Sequence, residues 1–328
     1  MTGDRPRARI VTFLRRLWPW LVGLAILAAV ATRAPLAEFR QALGRGPHLQ
    51  LALVNVALNV AVLGSDSLAT WVALIALQLR RPFRQVLVVR GATYLLFVVN
   101  YAVGQGGFGY YLYRSGVAAL RATGITLFLI GTNLATLIVV TAVAWAIRGG
   151  DAAGAAMTWT LVASCAAFAI YLAIIARRPG FLAQRSVLAP LFDAGLRGHG
   201  VAMLGRLPHI AVIVLGHWVA MRAWGFDVPF AVGATVMPAV VIVSVLPLSP
   251  AGLGTTQAAF VVFFRDYAPG ATDDQRAAAM LAFAVVHFVY GVLASASVGL
   301  VCAPFARRVA RDSSPDAPPA AADHGAAR

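Results

Sequence analysis

The chain has 328 residues, 60% of them hydrophobic and 12% charged, with a mean hydropathy of +0.78 and a net charge of +15. All 27 basic residues are arginine, and without lysine there is no Walker-type phosphate loop, Schiff base or pyridoxal chemistry. The arginines gather at the ends of apolar runs, as topology and anionic-lipid signals do, and no nucleic-acid-binding motif is found.

Residues 1–16 form a basic stretch with Arg5, Arg7, Arg9, Arg15 and Arg16, followed by the apolar run Leu17 to Ala34. That run is long for a signal peptide and no small-residue cleavage pattern ends it, so it reads as a retained first span with its N-terminus cytoplasmic. Leu49 to Leu79 comes next. As one helix it would be about 46 Å long, against roughly 30 Å of hydrocarbon, so it must tilt or protrude. Arg80, Arg81 and Arg84 then mark the inner side.

Val86 to Val103 is apolar, but Gly104 to Gly124 is rich in glycine and tyrosine and carries Arg114 and Arg121. If residues 86–122 form a hairpin that enters and leaves on the inner side, spans 124–147 and 155–176 bring the basic segment 177–206 to the cytoplasm. A full crossing would put that segment outside, against the positive-inside bias. The hairpin is therefore the reading adopted.

Leu207 to Trp224 then runs outward, Val228 to Phe264 is a second hairpin, and Ala277 to Ala303 returns to Arg307, Arg308 and Arg311. The second hairpin is broken by VLPLSPAGLG, Val245 to Gly254, where two prolines and two glycines interrupt a helix. At membrane depth a break survives only where protein covers it or a polar cavity receives it, so it marks a site. The tail from 309 to 328 is expected to be disordered and cytoplasmic.

The fold class is thus all-α, a polytopic helical membrane protein with about six full spans and two re-entrant or broken-helix hairpins, its domain covering residues 17–308. Span 49–79, hairpin 86–122 and span 124–147 match span 207–224, hairpin 228–264 and span 277–303 turned upside down. Such an inverted repeat with paired interrupted segments is common in secondary transporters.

Gly104, Gly106 and Gly109 fit G-x-G-x-x-G, but no βαβ unit or acidic residue accompanies them and a dinucleotide site is rejected. Two readings of the glycines stay open: exposed N–H groups at a half-helix start that suit a lipid phosphate, shared with Gly252 and Gly254, or close helix packing. Arg114 is the arginine expected in a membrane-depth cavity, while Arg90, with Tyr94 and Tyr101 on its face, is expected to snorkel.

Asp66 is the lone acid inside a span, and Asn55 and Asn59 project within about 40° of it on an ideal helix. This stripe reads as a proton or cation relay, half of an ion pair with Arg114 or Arg90, or interhelical glue. His217 and His287 lie within spans and are candidates for proton or ion coupling, the alternative being hydrogen bonding to a neighbouring helix. Gly291, Ser295 and Gly299 form a small-residue packing face. No metal motif, cofactor motif or catalytic set is found, and no enzymatic activity is expected.

Pro247 to Gly254 resembles the P-x-S-P-G-G-x-G signature of the flippase-like transmembrane region of lysylphosphatidylglycerol synthases and their stand-alone relatives. Asn100 to Arg114 stands where that family has an earlier glycine-containing motif. The resemblance implies an inner (plasma) membrane lipid transporter, with substrate contacts from Asn100, Gly106, Gly107, Gly109, Arg114, Pro247, Ser249, Pro250, Gly252, Gly254 and Gln257. The family often has proline and a Gly-Glu pair in the earlier motif, where this chain has Gly104 and Gly109-Tyr110, and often glutamate after the later one, where this chain has Gln257. Lysyl transfer is not implied, because the soluble aminoacyl-transfer domain is absent from this chain. The expected ligand is an anionic or isoprenoid-linked lipid with a phosphate-bearing headgroup. The alternative is a non-transporting accessory subunit for a glycosyltransferase or lipid-modifying enzyme.

Overall fold

A computed structural model describes residues 21, 23–29, 32, 36–148, 154–245 and 249–312. The described chain is helical, with no strand among the described residues. Its helices are α1 Leu36–Arg45, α2 His48–Ala76, α3 Phe83–Phe97, α4 Tyr101–Arg114, α5 Ala119–Arg148, α6 Gly154–Arg177, α7 Gly180–Ala183, α8 Ala189–Ala223, α9 Phe230–Val245, α10 Thr255–Phe264 and α11 Asp273–Asp312. Single 3-10 turns lie at Pro250–Gly252 and Arg265–Tyr267.

Proline sets several starts. Pro47, Pro82 and Pro179 directly precede α2, α3 and α7, positions where a missing N–H and a fixed φ cost nothing. The start of α4 is made differently: Asn100 turns its extended backbone and accepts the Ala102 N–H at 2.8 Å, capping the new helix.

Five helices are long and apolar enough to cross a membrane, over 48–76, 119–147, 158–177, 189–223 and 273–311. They correspond to five of the six expected spans. Half of the expected first span, Leu17 to Ala34, falls outside the described residues; residues 21 and 23–29 within it are helical. The N-terminal segment 1–16 and the tail beyond residue 312 lie outside them too. Residues 309–312, expected to begin a disordered tail, instead complete α11.

Two boundaries differ from the sequence reading. The first hairpin comprises α3 and α4, while residues 119–122 already belong to α5. The basic segment 177–206 is not a loop up to Arg206. From Ala189 onward it is helix continuous with the following span, interrupted at Gly195 with φ 57°. Helical periodicity therefore carries Arg206 into the bundle, where a basic residue at a span end would have faced water.

α3 and α4 are short, about 22 Å and 21 Å at the standard rise, less than one bilayer core. Tyr111 near the end of α4 donates to Gln85 near the start of α3 at 3.4 Å, so the pair doubles back. α2 and α8 run antiparallel along a long seam. A Cβ on Gly205 would meet Val72, and one on Gly216 would meet Leu58, so small residues let the backbones approach. α3 lies against α11 in the same way, through Gly91 on Cys302 and Gly299 on Leu95.

Two large apolar cores result, with a smaller cluster around Ala278 and Leu281. One gathers Leu74, Val86, Phe108, Leu112, Ile125 and Phe128, the other Met221, Phe226, Met237, Phe260, Phe264 and Phe283. The first is built mainly from α2–α5 with Ala194 and Ala202 of α8, the second mainly from α8–α11 with Leu51 of α2 and Leu137 of α5, and a cavity is bordered by helices of both.

Candidate functional site

The buried charges among the described residues meet at one place. Asp66 on α2 is the one buried acid among the described residues, and Arg90 on α3 and Arg206 on α8 are the two buried arginines. Arg90 Nε donates to Asp66 Oδ2 at 2.8 Å and its Nη2 donates to the same oxygen. Its Nη1 donates to Gln105 Oε1 of α4 at 3.0 Å. Phe97 and Phe108 hold their ring faces 5.4 and 5.6 Å from the guanidinium carbon.

The other carboxylate oxygen is taken from across the bundle. Arg206 Nη1 donates to Asp66 Oδ1 at 2.5 Å. Among the described residues this is the single hydrogen bond of the Arg206 side chain, although a guanidinium carries five N–H donors. Two guanidiniums against one carboxylate leave a surplus positive charge. Burying it costs several kcal/mol in a medium without water, which an anion would offset.

The cluster opens on a cavity of about 340 Å³ bordered by α2, α3, α5, α8, α9 and α11, with Tyr101 of α4 and Phe260 of α10. Tyr94 and Tyr101 border it beside the arginines, and their hydroxyls are buried without a hydrogen-bond partner. Arg206, His209 and His217 repeat at offsets of three and eleven residues and all line it, as one helical face should. Asn55 and Asn59 line it from the facing helix, and Ser295 of α11 donates to Asn59 Oδ1 at 2.6 Å.

The far end is aromatic and imidazole. His217 and His287 stand edge to face with centroids 5.0 Å apart, beside Phe260 and Phe283. His217 Nδ1 donates to Ile213 O at 2.8 Å, which leaves Nε2 as an acceptor in the neutral ring. His287 is buried with Nδ1 unpartnered. Thr256 of α10 also borders the cavity, its buried hydroxyl without a partner.

The expected residues separate into groups. Asp66, His217 and His287 are brought to one cavity, as are the stripe residues Asn55 and Asn59. Arg114 is not: it is exposed as the last residue of α4 and does not border the cavity. Arg90, expected to snorkel, is buried instead and holds the ion pair with Asp66. Tyr101 is not on the helix of Arg90, because α3 stops at Phe97, yet it reaches the same cavity as the first residue of α4.

Gly107 and Gly109 of α4 pack. A Cβ on Gly107 would come 2.4 Å from Leu96, and one on Gly109 would come 2.3 Å from Thr126 Oγ1, while Gly106 has open space. All three sit inside the helix, where their N–H groups are engaged by the helical ladder, so the phosphate-cradle reading does not fit their position. Asn100 caps rather than faces the cavity.

In the second motif Pro247 lies outside the described residues. Ala251, Gly252 and Gly254 have φ of 50°, 77° and 81°, a run of left-handed backbone that glycine tolerates and alanine adopts under strain. Gly254 donates its N–H to Gln257 Oε1 at 2.6 Å, and Ser249 pairs with Thr255 at 3.3 Å. A Cβ on Gly254 would meet Gly23 O at 2.3 Å, so the turn is covered by helical residues 23–27. Gln257 is buried and, with Ser249, Gly252 and Gly254, builds the turn; Ala251 and Thr256 present it to the cavity.

Arg206, His209, Gln105 and Thr256 were missed as site residues. Arg206 and His209 carried a usable signal, the shared face with His217, which was hidden by counting Arg206 among cytoplasmic charges. Among the described residues no three His, Cys, Asp or Glu side chains gather as a metal site. Comparison with models of known families finds no match, and comparison with curated proteins finds none.

Proposed function

We propose that this chain is an integral membrane protein that binds a lipid with an anionic, phosphate-bearing headgroup and moves it between leaflets. The observation that carries the reading is the pairing of two buried arginines with one aspartate on the wall of a cavity inside a bundle of apolar helices. Arginine in such a place is costly and suits a phosphate, whose oxygens accept paired N–H donors. The acyl chains of the lipid stay in the bilayer while the headgroup takes the cavity.

The architecture supports this reading. α2, α3, α4 and α5 correspond to α8, α9, α10 and α11, and the packing respects the exchange: α3 packs on α11 as α9 packs on α5, and α5 packs on α8 as α11 packs on α2. We read this as an inverted repeat with α3–α4 and α9–α10 as re-entrant hairpins, both termini cytoplasmic, in the plasma membrane. The resemblance of Pro247 to Gly254 to the flippase-like region of lysylphosphatidylglycerol synthases points the same way.

The test is leaflet exchange in liposomes with fluorescent anionic, zwitterionic and polyprenyl-phosphate lipids. Exchange should depend on headgroup and fall about tenfold in Arg206→Gln, the scale of one charge-assisted hydrogen bond. Arg114→Ala should leave it within about twofold, as exposed charges contribute little. No exchange by the folded wild-type chain would overturn autonomous transport.

A further inference from the structure

We infer that the cavity selects a singly charged phosphodiester headgroup whose other substituent is uncharged and hydroxylated, and excludes headgroups bearing an ammonium or a diphosphate. The inference rests on the lipid-binding reading above and adds the chemistry of the headgroup.

The argument is a charge count. Asp66 contributes one negative charge, and Arg90 and Arg206 contribute two positive charges. His209, which also borders the cavity and pairs with Ser65 Oγ at 3.3 Å, is counted as a neutral imidazole. The surplus is one positive charge. A phosphodiester supplies one negative charge and leaves the buried site neutral, whereas a diphosphate would leave excess negative charge in a medium that penalises it by several kcal/mol.

The second part concerns what hangs on the phosphate. An ammonium group needs an acidic partner when water is excluded, and Asp66, the one buried acid among the described residues, has both oxygens engaged by arginine. A hydroxylated substituent, by contrast, meets groups waiting for neutral hydrogen bonds. Tyr94 Oη and Tyr101 Oη stand unpartnered beside the arginines, and Tyr94 is 5% exposed. Farther along the same cavity Thr256 Oγ1 and His287 Nδ1 stand unpartnered as well. Buried polar atoms without partners are costly, and a ligand hydroxyl satisfies them without adding charge.

The experiment is native mass spectrometry of the full purified chain in detergent, titrated with lipids of matched acyl chains. The probes are phosphatidylglycerol, phosphatidylethanolamine, an aminoacylated phosphatidylglycerol and a polyprenyl diphosphate, with water-soluble glycerophosphoglycerol as the arm that separates a free phosphodiester from a lipid. Each is run on the wild type and on Arg206→Gln, which keeps the Arg90–Asp66 pair for folding and brings the surplus charge to zero.

The expected result is phosphatidylglycerol bound at least about tenfold more tightly than the other three lipids, with that preference lost in Arg206→Gln. Lipids bound with sensitivity to Arg206→Gln but without discrimination between anionic and ammonium-bearing headgroups would overturn this inference and leave the lipid-binding reading intact. Binding of every lipid unchanged by Arg206→Gln would overturn both. Glycerophosphoglycerol bound as tightly as the lipid would identify a soluble ligand and overturn both as well.

Discussion

Arg206 Nη1 and Asp66 Oδ1 lie 2.5 Å apart although the two residues are 140 positions apart in the chain. Their bond crosses the seam of α2 and α8 and so ties the two helices together at the cavity wall. Among the described residues Asp66 is the only negative charge there, and its loss would leave two buried guanidiniums facing each other. Asp66→Asn should therefore destabilise the fold by about 3–5 kcal/mol, the range for breaking a buried ion pair. Adding Arg206→Gln to Asp66→Asn should recover part of that loss. Thermal unfolding in detergent of the two single variants and the double variant measures the coupling, and a double variant less stable than Asp66→Asn would contradict it.

The glycines of α4 give a paired test within one helix turn. Gly109 faces Thr126 of α5 with no room for a methyl group, while Gly106 faces open space. Gly109→Ala should cost about 1–3 kcal/mol by prising α4 from α5. Gly106→Ala should be neutral or stabilise by up to about 1 kcal/mol, the helix propensity gained over glycine. Equal melting temperatures for the two variants would show that α4 does not depend on this close approach.

The contrast between Arg90, Arg114 and Arg206 shows what could be read from the sequence. Asp66 was visible because an acid inside an apolar run has nowhere to hide, and Asn55 and Asn59 followed from helical geometry. An arginine is different, since near the end of an apolar run it either reaches water along its own stem or is drawn inward, and local sequence does not choose between these. The choice is made by a partner elsewhere in the chain. Asp66 and Gln105 draw Arg90 inward, and Asp66 draws Arg206, while Arg114 at the end of α4 reaches the surface. The broken segments were legible for the opposite reason: proline, glycine and the Asn100 cap act on their immediate neighbours.

Gln257 offers a test of the second break. Its Oε1 accepts the N–H of Gly254, whose left-handed backbone begins α10, and the side chain is fully buried. Gln257→Leu removes the acceptor and leaves that N–H without a partner where water is scarce, so a loss of about 1–3 kcal/mol is expected. Gln257→Glu retains the acceptor oxygen and should keep the turn, with a smaller loss of melting temperature than the leucine variant. The order reversed would show that the Gly254 bond is not what holds the break.

His287 separates packing from ligand contact. Its ring is stacked on Phe283 at 5.2 Å with planes 9° apart, and it meets His217 edge to face at 5.0 Å. Phenylalanine has nearly the same shape and would keep those contacts, while removing Nδ1, a buried atom with no partner. Because no protein bond to that atom is lost, His287→Phe should change stability by less than about 1 kcal/mol in either direction. The cavity, however, would lose one of the few hydrogen-bonding atoms at its aromatic end. If the headgroup passes that end, leaflet exchange should fall about tenfold at unchanged melting temperature, the scale of one hydrogen bond to a ligand. Exchange equal to wild type would reduce the imidazole pair to core packing and confine headgroup contact to the arginine end.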